Sequence, residues 1–66
     1  MKTSWFTFGQ THTHSHCGLT LDKDIVVKIT AEDPRDRMFE LFGSQWGHEY
    51  DKQPDMLYYP RGIAEL

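Results

Sequence analysis

Hydrophobic and polar residues alternate along two neighbouring segments in the first half of the chain. Residues 19–31 place Leu, Ile, Val and Ala on one side and Thr, Asp and Lys on the other, which is typical of a half-buried β-strand. Residues 4–16 contain Trp, Phe and Thr and predict a partner strand. Cys17 and Gly18 stand between them, and glycine permits the positive φ of a tight turn. The pattern therefore predicts an N-terminal β-hairpin.

A turn at Cys17-Gly18 also fixes the register of this hairpin. From the turn outward, the predicted pairs are His16 with Leu19, His14 with Leu21, His12 with Lys23, Gln10 with Ile25, Phe8 with Val27 and Phe6 with Ile29. The apolar faces of the two strands then coincide, as a half-buried hairpin requires. We expect a buried face made of Phe6, Phe8, Ile25, Val27 and Ile29.

A short helix is predicted after the hairpin. Asp33 is a suitable N-cap, and Pro34 suits the first helical position, where its missing N–H costs nothing. Gly43 is a suitable C-terminal stop. The stripe that we expect to pack on the hairpin has i, i+3 and i+4 spacing and consists of Met38, Leu41 and Phe42.

Two further strands are predicted in the C-terminal half. Residues 45–50 alternate through Trp46, His48 and Tyr50, and residues 56–59 follow a turn at Pro54-Asp55. The elements predict a single α+β domain spanning residues 1–66, in the order β-β-α-β-β. We expect a small antiparallel sheet with one helix packed on one face.

Composition limits how this domain can be stabilised. A chain of 66 residues buries little apolar surface, and Cys17 is its only cysteine, so no disulfide can form within it. A metal ion or self-association is then the expected supplement. The two Trp, three Tyr and four Phe exceed the needs of a small core, which places some of them at an interface or ligand site. We expect a homo-oligomer.

Charge and hydropathy exclude several classes of protein. The sequence lacks the run of about 18 apolar residues that a membrane-spanning helix needs. It also lacks an N-terminal apolar stretch typical of a secretory signal, and the lone thiol favours a reducing compartment, so a cytoplasmic location is expected. The net charge of -3 creates no general field that would attract duplex nucleic acid.

The histidines of the first strand form the first candidate site. His12, His14 and His16 recur at period two, so a strand would place their imidazoles on one face, where they could ligate zinc. Cys17 and His48 could add ligands. Lys23, beside His12 in the predicted register, would oppose a cation. A solvated, polar hairpin end explains the same residues. Our first expectation is therefore that no cofactor binds, and zinc is the alternative.

An anion site is the second candidate. Imidazole, amide and ammonium groups would rim one end of the hairpin, Arg61 could grip a phosphate bidentately, and nearby aromatic rings could stack on a base. The candidate ligand-binding residues are Gln10, His12, His14, Lys23, Trp46, Tyr58, Tyr59 and Arg61. Each aromatic ring could instead belong to the core or to a dimer contact. The sequence lacks a glycine-rich phosphate loop, a serine elbow, HExxH and paired CxxC motifs, so we do not expect an enzyme.

Four segments carry a resemblance to known sequences. FGQTHTH at residues 8–14, LDKD at 21–24, MFELFG at 38–43 and PDMLYYPRGI at 54–63 resemble a group of very short phage and prophage proteins. The resemblance implies a counter-defence factor in the cytoplasm of an infected bacterium. Such a factor would sequester a nucleotide immune signal as an oligomeric sponge. Alternatively, it would inhibit a host defence or regulatory complex by contact, or bind a metal through its histidines. No functional residue is transferred from the group.

Overall fold

A computed structural model describes residues 1–10, 12–16 and 18–66 of the chain. Its strands are β1 (Lys2–Thr7), β2 (His14–His16), β3 (Leu19–Leu21), β4 (Val26–Ala31), β5 (His48–Tyr50) and β6 (Ile63–Glu65). A helix, α1 (Pro34–Phe42), lies between β4 and β5, and a 3₁₀ turn covers Met56–Tyr58. The predicted α+β class is confirmed, although the order of the elements differs in detail.

The strands form two sheets. Four of them lie in the order β5-β1-β4-β6, and β2 pairs with β3 separately. β1 is antiparallel to both β4 and β5, whereas β6 runs parallel to β4. The prediction of one antiparallel sheet was therefore wrong, because the edge strand β6 is parallel to its neighbour β4.

The predicted hairpin register holds only beside the turn. His14 faces Leu21 and His16 faces Leu19, as predicted, and Gly18 has a φ of 80°; Cys17 lies outside the described residues. Farther from the turn, Phe6 faces Val27 rather than Ile29. The register between β1 and β4 is thus displaced by two residues from that between β2 and β3.

The displacement arises where both predicted strands break. On one side the N–H of His12 donates to the carbonyl of Gly9 at 3.0 Å, and on the other the N–H of Ile25 donates to that of Asp22 at 3.3 Å. The connection from β1 to β2 is two residues longer than that from β3 to β4. The predicted pairs of Gln10 with Ile25, His12 with Lys23 and Phe8 with Val27 consequently do not form.

The predicted buried face is confirmed despite this displacement. A shift of two residues returns every side chain to its original face of the sheet. The core cluster comprises Phe6, Phe8, Leu21, Ile25, Val27, Ile29, Met38, Phe42 and Ala64. Leu41 is partly buried against it. Helix α1 covers this face of the sheet, which we call the helix face.

The helix begins and ends as predicted. A carboxylate oxygen of Asp33 accepts from the N–H of Asp36 at 3.3 Å, and Pro34 occupies the first turn. Gly43 adopts a φ of 64° and donates its N–H to the carbonyl of Phe39 at 2.9 Å. A β-carbon would strain this backbone conformation, so glycine is the residue that ends the helix here.

The C-terminal segment departs most from expectation. Residues 56–59 do not form a strand, because Asp55 caps a 3₁₀ turn: its carboxylate accepts from the N–H of Leu57 at 3.0 Å. The last strand begins only after Gly62, whose carbonyl accepts from the N–H of Val26 at 3.0 Å. The predicted strand over residues 45–50 shortens to β5, at the opposite edge of the sheet.

The connection between β5 and β6 crosses the face of the sheet opposite the helix. Tyr59 lies there beside Tyr50 and Thr7. Burial and the neighbouring Tyr50 raise the pKa of the Tyr59 phenol, and the nearby Thr7 hydroxyl opposes that shift. The rim of this second face carries Lys28, which lies 6.0 Å from the Trp5 ring and 3.9 Å from a carboxylate oxygen of Glu65.

Candidate functional site

The loop that follows helix α1 is fixed at three points. The indole Nε1–H of Trp46 donates to the carbonyl of Gly43 at 3.0 Å. The carbonyl of Gln45 lies 2.6 Å from His14 Nε2, and because a carbonyl can only accept, Nε2 carries the proton. The N–H of Gly47 donates to the carbonyl of Thr7 at 2.7 Å. This loop therefore holds its side chains in a defined position between the helix and β5.

Trp46 is the central side chain of the loop. Its ring packs edge-on against Phe6 at 5.2 Å between centroids and against Phe39 at 5.5 Å. The guanidinium carbon of Arg35 lies 5.7 Å from the centroid of the same ring, within the range of a cation–π contact. Arg35 and Phe39 are four residues apart, so α1 presents both side chains to Trp46 from one side.

An open cavity of about 210 Å³ lies beside this ring, lined by Arg35, Trp46, Gly47, His48 and Glu49. We call it the Trp46 cavity. Pockets for drug-sized ligands span about 300–1,000 Å³, so this one has room for a single ring or a small charged group. A larger ligand would extend from it into solvent.

Arg35 is the main source of positive charge at the Trp46 cavity. Arg37 pairs with Glu40 at 3.0 Å and Arg61 pairs with Asp22 at 3.2 Å. Arg35 forms no ion pair with any residue in the described part of the chain, and its side chain is exposed. Its guanidinium is therefore free to bind a carboxylate or phosphate bidentately.

His48 and Glu49 complete the polar lining. The His48 ring lies 4.5 Å from the ring of Tyr50, its neighbour on β5. This places the His48 ring on the face of β5 opposite Glu49, so the polar side chain that β5 offers to the cavity is the Glu49 carboxylate, which can only accept while ionised. A ring that carries N–H donors, as nucleobases do, suits this carboxylate better than a purely acceptor ring. The lining thus combines one aromatic wall, one free cation and one acceptor.

The structure separates the residues that the sequence predicted as one anion site. His14 and Trp46 lie on the helix face, where both contact the loop after α1. Tyr59 lies on the opposite face, and Tyr58 projects into solvent. Arg61 is beside the turn between β3 and β4, where its guanidinium is paired with Asp22.

The remaining members of that predicted site lie in the two connections that lead into and out of the β2–β3 hairpin. Gln10 and Lys23 are exposed, and His12 is half-buried. Lys23 belongs to the turn after β3 and has no strand partner, so it does not sit opposite His12 as predicted. No strand pairing of the described residues brings the Lys23 ammonium beside the His12 imidazole.

The predicted histidine cluster is also divided. His12 Nδ1 accepts from the N–H of Gly9 at 3.3 Å, and His14 Nε2 is held by Gln45. The rings of His14 and His16 pack on Phe42 at 4.9 and 6.0 Å between centroids. Within residues 1–10, 12–16 and 18–66, no three His, Cys, Asp or Glu side chains are grouped so that they could hold a metal ion.

Arg35 and Glu49 were not identified from the sequence, and His48 was considered only as a metal ligand. In the sequence, Arg35 belongs to a charged first turn of the predicted helix, which is typical of a solvated helix N-terminus. The available signal was its i, i+4 spacing from Phe39, an aromatic residue on the polar side of the helix stripe. That spacing becomes informative only once Trp46 is known to pack against α1.

Comparison with known proteins finds no matching family model, no matching curated protein and no matching solved structure. No helix in the described ranges is long and apolar enough to cross a membrane.

Proposed function

We propose that this chain is a non-catalytic binding protein that captures a small anionic molecule with a flat, hydrogen-bonding ring, most simply a nucleotide. In the phage setting that the sequence resemblance implies, capture would withdraw a nucleotide immune signal from the host. The observation that carries the proposal is the exposed Arg35 guanidinium, 5.7 Å from the Trp46 ring at the mouth of an open cavity.

The parts of the Trp46 cavity suit the two halves of such a ligand. A base that enters the cavity meets the Trp46 ring, and base–aromatic stacking contributes about 1–3 kcal/mol. Its phosphate meets Arg35, and hydrogen bonds between charged groups contribute about 1.5–3 kcal/mol. Glu49 can accept from a base amino group. The base alone would not contact Arg35, and the phosphate alone would not contact Trp46 or Glu49. We therefore expect the ring and the anion to be recognised together.

Isothermal titration calorimetry with three probes tests this joint recognition. Adenosine supplies the ring alone, inorganic phosphate supplies the anion alone, and adenosine monophosphate supplies both. We expect the monophosphate to bind at least about tenfold more tightly than either other probe, because one charge-assisted hydrogen bond is worth about that factor. Equal affinity for adenosine and its monophosphate would show that no phosphate is recognised.

Matched variants locate the site. Arg35→Gln should reduce monophosphate affinity to that of adenosine. Arg37→Gln removes the same charge from the same helix, but Arg37 is paired with Glu40 at 3.0 Å, so this variant should bind like the parent. Lys23→Ala should also bind like the parent. If Lys23→Ala abolishes binding and Arg35→Gln does not, the site lies at the turn between β3 and β4 instead.

A further inference from the structure

Two apolar side chains project into solvent from the 3₁₀ turn. Leu57 is 88% exposed and Tyr58 is 74% exposed. Residues 55–58, which we call the turn tip, thus display an aliphatic and an aromatic group that the chain itself leaves uncovered. Exposed aromatic side chains of this kind are common anchors of protein interfaces.

Local backbone hydrogen bonds restrain the turn tip. Within it, the N–H of Tyr58 donates to the carbonyl of Asp55 at 3.3 Å, and just after it the N–H of Tyr59 donates to the carbonyl of Met56 at 3.2 Å. Pro54 and Pro60 flank the segment, which limits its backbone freedom. Little conformational entropy would be lost when this tip docks, so a small contact can suffice.

The turn tip also displays the two chemical groups that the Trp46 cavity is suited to bind. Tyr58 presents a flat ring with a hydroxyl, and Asp55 presents a carboxylate three residues earlier. The cavity offers the Trp46 ring and the unpaired guanidinium of Arg35. Its volume of about 210 Å³ accommodates one phenol side chain.

We propose that the Trp46 cavity receives the turn tip of a second copy of this chain, with Tyr58 against Trp46 and Asp55 paired with Arg35. The tip of the same chain does not line the cavity, whose walls come from Arg35 and residues 46–49. A tip on one surface that enters a cavity on another makes a head-to-tail contact. The inference rests on the recognition of ring and anion in the proposed function, and a nucleotide would compete with the tip.

Sedimentation equilibrium without any nucleotide tests the contact. The interface is small, so we expect a dissociation constant on the order of 0.1–1 mM and a mass that rises with concentration across that range. Tyr58→Ala and Arg35→Glu should each weaken association by about thirtyfold or more and leave monomers, since each removes a central anchor. Asp55→Asn keeps the cap acceptor and removes the charge, so it should weaken association without disturbing the turn.

Mixing the two variants gives the decisive result. Tyr58→Ala retains an intact cavity and Arg35→Glu retains an intact tip, so an equimolar mixture should form dimers although each variant alone is monomeric. Arg37→Glu is the charge-matched control and should associate like the parent. A monomeric parent, a Tyr58→Ala variant that associates like the parent, or a mixture that stays monomeric would each overturn the inference. Because nucleotide is absent, none of these results affects the calorimetric test of ligand capture.

Discussion

His14 links two parts of the molecule that are far apart in the sequence. Its ring packs between Phe8 at 5.4 Å and Phe42 at 4.9 Å, and its Nε2–H donates to the carbonyl of Gln45. The sequence placed this residue at the rim of a ligand site. In the structure it instead fixes the β2–β3 hairpin to the loop that carries Trp46.

Replacing His14 with alanine should therefore destabilise the fold. The variant loses a hydrogen bond and the aromatic contacts of a half-buried ring, which together correspond to a loss of about 1–3 kcal/mol in the free energy of unfolding. Urea denaturation measures this loss. His16→Ala is the control, because His16 lies 6.0 Å from the Phe42 ring and forms no side-chain hydrogen bond with the described residues. Equal losses for both variants would contradict the role assigned to His14.

Tyr59 should make stability depend on pH in the alkaline range. Burial and Tyr50 raise its pKa above the usual 10.0, so the folded chain keeps the phenol proton where the unfolded chain has lost it. The free energy of unfolding therefore contains a contribution that is complete below pH 10.0 and is lost as the pH rises through the folded pKa. Urea denaturation at about pH 9 and about pH 11 should show a larger loss for the parent than for Tyr59→Phe. Identical losses would contradict the shift.

At the scale of elements, sequence periodicity predicted the faces of the strands but not their alignment. A period-two pattern is unchanged when one strand slips by two residues, so the pairing of Phe6 with Val27 or with Ile29 buries the same side chains. The turn between Gly9 and His12 takes up the extra residues. Of the described residues there, Gly9, Gln10 and His12, only the glycine favours a turn, so the break in the strand was not predictable.

The C-terminal prediction failed for a different reason. Tyr58 and Tyr59 favour strands, but Asp55 offers a side-chain acceptor that closes a turn locally, and this local hydrogen bond prevails. The true strand, β6, has three residues, too few for periodicity to reveal. Helix α1 was predictable because its cap, its proline, its buried stripe and its terminal glycine all agree.

Gly47 allows β5 to approach the end of β1 closely. A β-carbon at this position would lie 3.1 Å from the Gly9 nitrogen and 3.2 Å from the Thr7 carbonyl oxygen, both backbone atoms. Gly47→Ala should therefore lower the free energy of unfolding by about 1–3 kcal/mol in chemical denaturation, since overpacking forces the backbone to shift. Gly9→Ala is the control: its β-carbon would meet mainly the His12 side chain at 3.3 Å, which can move. A Gly47→Ala variant as stable as Gly9→Ala would contradict this close approach.

At the scale of the whole molecule, the candidate site depends on how distant segments meet. Arg35 comes from α1, Trp46 and Gly47 from the loop, and His48 and Glu49 from β5. The sequence offered Trp46 as a ring for stacking, and it paired that ring with Lys23 and Arg61 as the cations. Lys23 lies elsewhere because the predicted second strand breaks between β3 and β4, and Arg61 lies beside that break, where it pairs with Asp22. No local sequence pattern indicates either position.

A nucleotide that binds against Trp46 should change the fluorescence of that residue. In a Trp5→Phe background Trp46 is the sole tryptophan, and the substitution removes a buried indole N–H that has no acceptor among the described residues. Titration with adenosine monophosphate should change the Trp46 emission saturably, and Arg35→Gln in the same background should require at least about tenfold more ligand. Emission that stays constant, or identical curves with and without Arg35, would show that no nucleotide binds between Trp46 and Arg35.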